Sequence, residues 1–233
     1  MFKKTTTCLQ KYSFVDLGLD RNQVANLINP DPSAISEDVS DLITEALKLA
    51  EGCCVIEGGY VVYDSPRFDL DQLKVHIGGV DLLIGKIIIQ QIVRSSKVAV
   101  FLCTAGHRIG DCYAKELMNG NFLYSSVIES VITLAIERAI EKIQENLLKS
   151  ISGKNIRLTN RFSPGFCNWD ISEQKQLISL LPPGFMNVKL MNGNILDPVQ
   201  SITGIIGIGN EVKRNEERCE QCTTVRCQLR KAV

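Results

Sequence analysis

The chain has 233 residues, 45% of them hydrophobic and 22% charged, enough apolar material for one large domain or two small ones. Lys plus Arg and Asp plus Glu both total 26, so the formal net charge is zero and no long-range field draws in nucleic acid or an anionic membrane. The longest apolar run, Val80 to Val93, is interrupted by Asp81, Lys86, Gln90 and Gln91, and falls short of the roughly 20 apolar residues that span a bilayer. Met1 to Cys8 has lysines but no apolar run behind them, so it does not read as a signal peptide. A cytoplasmic protein with neither nucleic acid nor membrane as partner is expected.

In chain order, residues 15–35 read as a short apolar piece, Val15, Leu17 and Leu19, followed by the turn-forming run Asn29-Pro30-Asp31-Pro32-Ser33. Ser36-Glu37-Asp38 predicts a helix start, and Val39, Leu42, Ile43, Ala46, Leu47 and Ala50 continue it at helical spacing. Cys54 to Tyr63 predicts a strand or hairpin with Gly58-Gly59 as turn or bulge; Leu73 to Ile77 alternates like a strand ended by Gly78-Gly79. Ile84, Ile88 and Ile92 suit a helix over 82–94. Val98 to Leu102 is continuously apolar, the mark of a central strand buried on both faces.

A helix is predicted from about Arg108 to Met118. The longest element runs from about Leu123 to Lys149, with Ile128, Ile132, Ala135, Ala139, Ile143 and Leu147 on one stripe. Leu158 to Arg161 leads into a loop at Phe162-Ser163-Pro164-Gly165-Phe166, a short helix follows near Glu173–Leu181, and strands follow at Val188–Met191 and Ser201–Ile208. Strands and helices mix without regular alternation, so the expected class is α+β. The chain divides into a domain of residues 1–210 and a charged tail, 211–233, with few large apolar side chains.

Nine cysteines are many for a reducing compartment, where clustered thiols point to metal or redox use. Cys8, Cys53, Cys54, Cys103 and Cys112 are scattered in apolar segments and read as small buried hydrophobes. Cys219, Cys222 and Cys227 instead give Cys-x2-Cys-x4-Cys on the tail, a spacing that lets thiolates share one ion. Arg218 and Arg226 favour the thiolate form. Zinc, an iron–sulfur cluster and a metal-free redox tail stay open, with Cys167 as a candidate fourth ligand. His76 and His107 lack the spacing of a metal-dependent hydrolase.

Three stretches, in order, resemble the activation domain of vitamin-B12-dependent methionine synthase. The first joins Phe101-Leu102-Cys103-Thr104-Ala105-Gly106 to the long helix carrying Ala135-Ile136-Glu137. The second is Arg161-Phe162-Ser163-Pro164-Gly165-Phe166, similar to an Arg-x-x-Pro-Gly-aromatic loop. The third runs from Asp197 to Gly207 and is similar to a Pro-x-x-Ser-x-Ser-Gly segment. They span roughly residues 70 to 210.

The resemblance implies a curved domain around a twisted, mainly antiparallel sheet, flanked by helices including one long one. It implies S-adenosylmethionine on one face and reductive methylation of cobalamin as the task. The chain would then be a free-standing accessory component acting on the cobalamin of a separate corrinoid protein or methionine synthase module, with an external electron donor. Arg161 would grip the ligand carboxylate with its planar fork. Ser163 and Gly165 would offer backbone groups to adenine, Phe166 would lie against the ring or ribose, and Glu137 would face the cationic end. By chemistry alone, Arg161 also suits a surface loop and Glu137 a solvated helix flank. Phe166 departs from the family's usual Tyr and lacks its hydroxyl. The alternative reading is a non-catalytic redox adaptor or chaperone that docks on a corrinoid protein and works through its cysteine tail.

Overall fold

The structure is a computed structural model that describes residues 4–214, apart from residues 30, 32, 33, 152 and 154. Its centre is a five-stranded antiparallel sheet. The strands, numbered in chain order, are β1 (Lys4–Tyr12), β2 (Ile56–Asp64), β6 (Lys97–Thr104), β7 (Arg157–Phe162) and β10 (Ser201–Gly209), arranged β1-β2-β6-β10-β7. β6 lies in the middle, between β2 and β10. Its side chains alternate, so Ala99, Phe101 and Cys103 enter one core while Val98, Val100 and Leu102 enter another. A strand buried on both faces has no polar face to display, which is why its sequence is an unbroken apolar run.

Helices cover the first face. They are α1 (Arg21–Ile28), α2 (Glu37–Cys53), α4 (His107–Met118) and the 29-residue α5 (Phe122–Ser150). Ile128, Ile132, Ala135, Ala139, Ile143 and Leu147 of α5 are all buried there, as their spacing predicts. The Ser36 side chain accepts from the Val39 N–H and caps α2.

Smaller pieces cover the second face. A three-stranded sheet of β3 (Arg67–Asp69), β4 (Lys74–Ile77) and β5 (Val80–Leu83) joins α3 (Gly85–Ile92), α6 (Gln174–Ser179) and the hairpin of β8 (Lys189–Met191) and β9 (Ile195–Asp197). Trp169 and Phe162 are buried in this second core. The architecture is the mixed helix and antiparallel-sheet class expected. No helix among the described residues is long and apolar enough to cross a membrane.

Four local expectations need correction. Gly58-Gly59 is not a turn, because β2 runs straight through it. A Cβ at Gly58 would overlap Ile143 of α5 and one at Gly59 would overlap the Cys8 carbonyl of β1, so these glycines mark close approach. Residues 82–94 divide at Ile84 into β5 and α3. Residues 21–28 form a helix whose start is a reciprocal capping box between Asp20 and Gln23. Leu158 to Arg161, read as a lead into a loop, lies in β7. Val212, just past the sheet, is buried.

Candidate functional site

Arg161 sits on β7, the edge strand paired with β10, at the position opposite Ile206. Neighbouring side chains of a strand point to opposite faces. Phe162 therefore joins the second core, and Arg161 points toward α5. There its guanidinium forms an ion pair with the carboxylate of Glu137, one turn after Thr133 on the long helix. The two side chains are only 13% and 24% exposed, so both charges are partly desolvated and neutralise each other. The arrangement brings together the cation and the anion that the sequence motifs single out. It also shows that Glu137 is no solvated flank residue, and that Arg161 is no surface-loop residue.

The chain then enters the Ser163-Pro164-Gly165-Phe166 turn. The Phe166 N–H donates to the Ser163 carbonyl (3.1 Å), with Pro164 setting φ at the second position and Gly165 at φ +90° in the third. That third position disfavours any side chain. Gly165 N–H donates to the Trp169 carbonyl (2.8 Å), and Trp169 N–H donates to the Phe166 carbonyl (2.9 Å). Cys167 and Asn168 between them hold φ of 52° and 60°, left-handed values that cost non-glycine residues free energy and persist only under tertiary constraint. The constraint is Trp169, 1% exposed and anchored in the second core. Ser163 is buried and Phe166 is 36% exposed at the surface. Because the Gly165 N–H is engaged within the loop, it is not the donor offered to a ligand. Sequence reasoning passed over Trp169, although it is the chain's one tryptophan and follows the motif within three residues.

The seam between α5 and β7 continues as an open hollow of about 470 Å³. Glu141 and Glu145, one and two turns beyond Glu137, line it together with Leu148, Leu158 and Thr159. Glu141 is itself paired with Arg138 (2.9 Å). The seam thus offers a paired cation and anion, an apolar wall and a rigid aromatic-tipped turn nearby.

The other candidates are placed apart. His107 Nδ1 lies 3.6 Å from Asp197 at the exposed start of α4, while His76 pairs with Asp81 across the β4–β5 hairpin. The hydrogen bond from His76 holds the Asp81 carboxyl below its usual range. Among the described residues no group of three or more His, Cys, Asp or Glu is placed to hold a metal ion. Cys219, Cys222 and Cys227 lie outside the described residues.

No protein-family model matches the sequence, and no curated protein matches it. A solved structure does: the MetH reactivation domain bound to AdoHcy, with a TM-score of 0.61 over 90% of this chain and 80% of that one, at 12% identity. The chain has the fold of that domain. At this identity the likeness speaks for architecture alone.

Proposed function

We propose that this protein binds S-adenosylmethionine at the α5–β7 seam and supports the reductive methylation of cobalamin held by a separate corrinoid protein. The observation that carries the reading is the Arg161–Glu137 pair beside the Pro164-Gly165 turn, in a fold shared with a domain crystallised with AdoHcy. The amino-acid end of the ligand is a zwitterion. Its entry exchanges one partly buried ion pair for two, the ligand carboxylate on Arg161 and the ligand ammonium on Glu137. Both protein charges are then satisfied with and without ligand, so neither is stranded in a desolvated site.

When bound, the ligand supplies a methyl group on a sulfonium. The chain's own contribution is placement. Arg161 fixes the amino-acid end through two parallel hydrogen bonds. The turn at Ser163, Gly165 and Phe166, locked by Trp169, presents a stiff edge for adenine or ribose, and stiffness of this kind is what keeps a reacting carbon in line with its acceptor. The cobalamin belongs to the partner, and the electron comes from an external donor. Cys219, Cys222 and Cys227 are the ligand set proposed for a zinc ion or an iron–sulfur centre, and of the two only the iron–sulfur centre carries an electron. Metal content near one centre per chain in anaerobically purified protein, lost on substituting any one of the three, is the expected result.

The deciding experiment is calorimetry with S-adenosylmethionine and S-adenosylhomocysteine. Losing the bidentate contact in Arg161→Ala costs about 1.5–3 kcal/mol of binding, an order of magnitude or more in Kd. Glu137→Gln keeps shape and removes charge, so it weakens the sulfonium ligand more than the neutral thioether. Unchanged affinity in the first variant, or equal losses for both ligands in the second, removes the respective assignment.

A further inference from the structure

Away from the seam, the end of α2 meets the middle of α4 at a cluster of sulfur. Cys53 is the last residue of α2 and Cys112 lies in α4, and their Sγ atoms are 3.9 Å apart. Cys54 follows directly. The backbones here are already tied, because Arg108 Nη2 donates to the Gly52 carbonyl (3.3 Å) and the Val55 N–H donates to the Ala105 carbonyl (3.3 Å). The two sulfurs are near van der Waals contact and need to close by only about 2 Å to reach a bond near 2.05 Å. Neither the cobalamin reading nor the tail cysteines make use of this pair.

We infer that Cys53 and Cys112 form a two-electron thiol–disulfide site, oxidised by hydrogen peroxide, that staples α2 to α4. The step balances as follows. The Cys112 sulfur, the more exposed of the two, attacks a peroxide oxygen; the O–O bond breaks, leaving a sulfenic acid and one water. The Cys53 sulfur then attacks the sulfenic sulfur, the S–S bond forms, and the second water leaves. Two thiols lose two electrons and two protons, and one peroxide becomes two waters.

The division of labour follows from the surroundings. Cys53 is 8% exposed, and its thiol donates to the Leu49 carbonyl (2.9 Å). Burial pushes that thiol up to about 11 despite the Arg108 charge nearby. It is held protonated and sheltered, a resolving partner rather than a first point of attack. Burial pushes Cys54 to about 12 as well. The sulfur in contact with Cys112 is that of Cys53, so the bridge selects 53 over 54.

The test uses the full chain, treated with one equivalent of hydrogen peroxide, alkylated, digested without reductant and mapped by mass spectrometry with fragmentation. A Cys53–Cys112 cross-link, 2 Da below the two free peptides and reversed by dithiothreitol, is expected. Closing a loop of this length raises the thermal midpoint of the oxidised chain by about 5 °C or more. Cys112→Ala and Cys53→Ala each lose the link, while Cys54→Ala keeps it. Should a variant fail to fold, the wild-type map alone decides. Recovery of Cys53 and Cys112 fully alkylated while other cysteines take the oxidant, a link through Cys54, or over-oxidation of Cys112 without a link would each overturn the inference.

Discussion

The two faces of the central sheet are built from different materials. One receives the long helix α5, which packs on β2, β6 and β7, with α1, α2 and α4 packed against α5 in the same core. The other is closed by short strands, α3, α6 and the irregular segment from Ser163 to Val188, where backbone hydrogen bonds and left-handed residues replace periodic packing. The proposed ligand seam lies at the sheet edge where the two meet. Arg161 reaches the helical face and the next residue, Phe162, reaches the irregular one. The regular face supplies an anion at a fixed helical position, and the irregular face supplies a rigid turn, so a site at the border draws on both.

The largest expected effect comes from the residue that joins the faces. A Cβ at Gly204 of β10 would overlap the Phe162 carbonyl oxygen and lie 2.6 Å from the Phe101 ring. The obstacle is partly backbone, so it cannot swing aside. Gly204→Ala should cost about 4 kcal/mol in urea unfolding and loosen β7 together with Arg161. A loss below about 1 kcal/mol would mean that β10 and β7 do not pair in this register.

A pair of core substitutions sharpens the contrast. Ile143 of α5 is buried against β2, and Ile143→Ala should cost about 2–5 kcal/mol through the cavity it leaves. Trp169 has no hydrogen-bond partner for its indole Nε1 among the described residues. Trp169→Phe therefore loses volume but no paired donor, at about 1–2 kcal/mol, while exposing the Phe166 turn to faster amide exchange. If the order of these two losses were reversed in equilibrium unfolding, the helical face would not be the better packed one.

The smallest effect is a pH slope. Burial pushes Cys103, on the helical face, up to about 12 from an ordinary 9, against the opposing charge of Arg161. The folded state then holds a proton that the unfolded chain releases above pH 9. Stability is fully present below pH 9 and falls as pH rises from 9 toward 12, by about 1 kcal/mol at pH 10. Cys103→Ala should flatten that slope; an unchanged slope would assign alkaline loss to Tyr12, Cys54 or other groups.

Periodicity made the helical face legible. The stripe of α5, the Ser36 cap of α2 and the apolar run of β6 each encode a local element by a pattern that needs no distant partner to interpret. The class and the ordered motifs around Glu137, Arg161 and Phe166 were readable for the same reason. What escaped was whatever depended on a neighbour. Gly58-Gly59 has the composition of a turn and is strand because α5 and β1 press on it. β7 has a mixed polar pattern because its edge position buries Thr159 and Asn160 while leaving Arg157 exposed. α1 is too short for a clear stripe and is started by its Asp20–Gln23 cap.

From its residues alone, then, this protein is committed to an α+β core with a long helix, an Arg-x-x-Pro-Gly-aromatic turn and a cluster of tail thiols. Tertiary structure decided that Arg161 and Glu137 meet, 24 positions apart in the chain, and that Cys53 and Cys112 come into sulfur contact across 59 positions. Charge and thiol chemistry act over a few ångströms, and a sequence records which groups exist. Only the packing of β7 on α5 and of α2 on α4 sets those few ångströms.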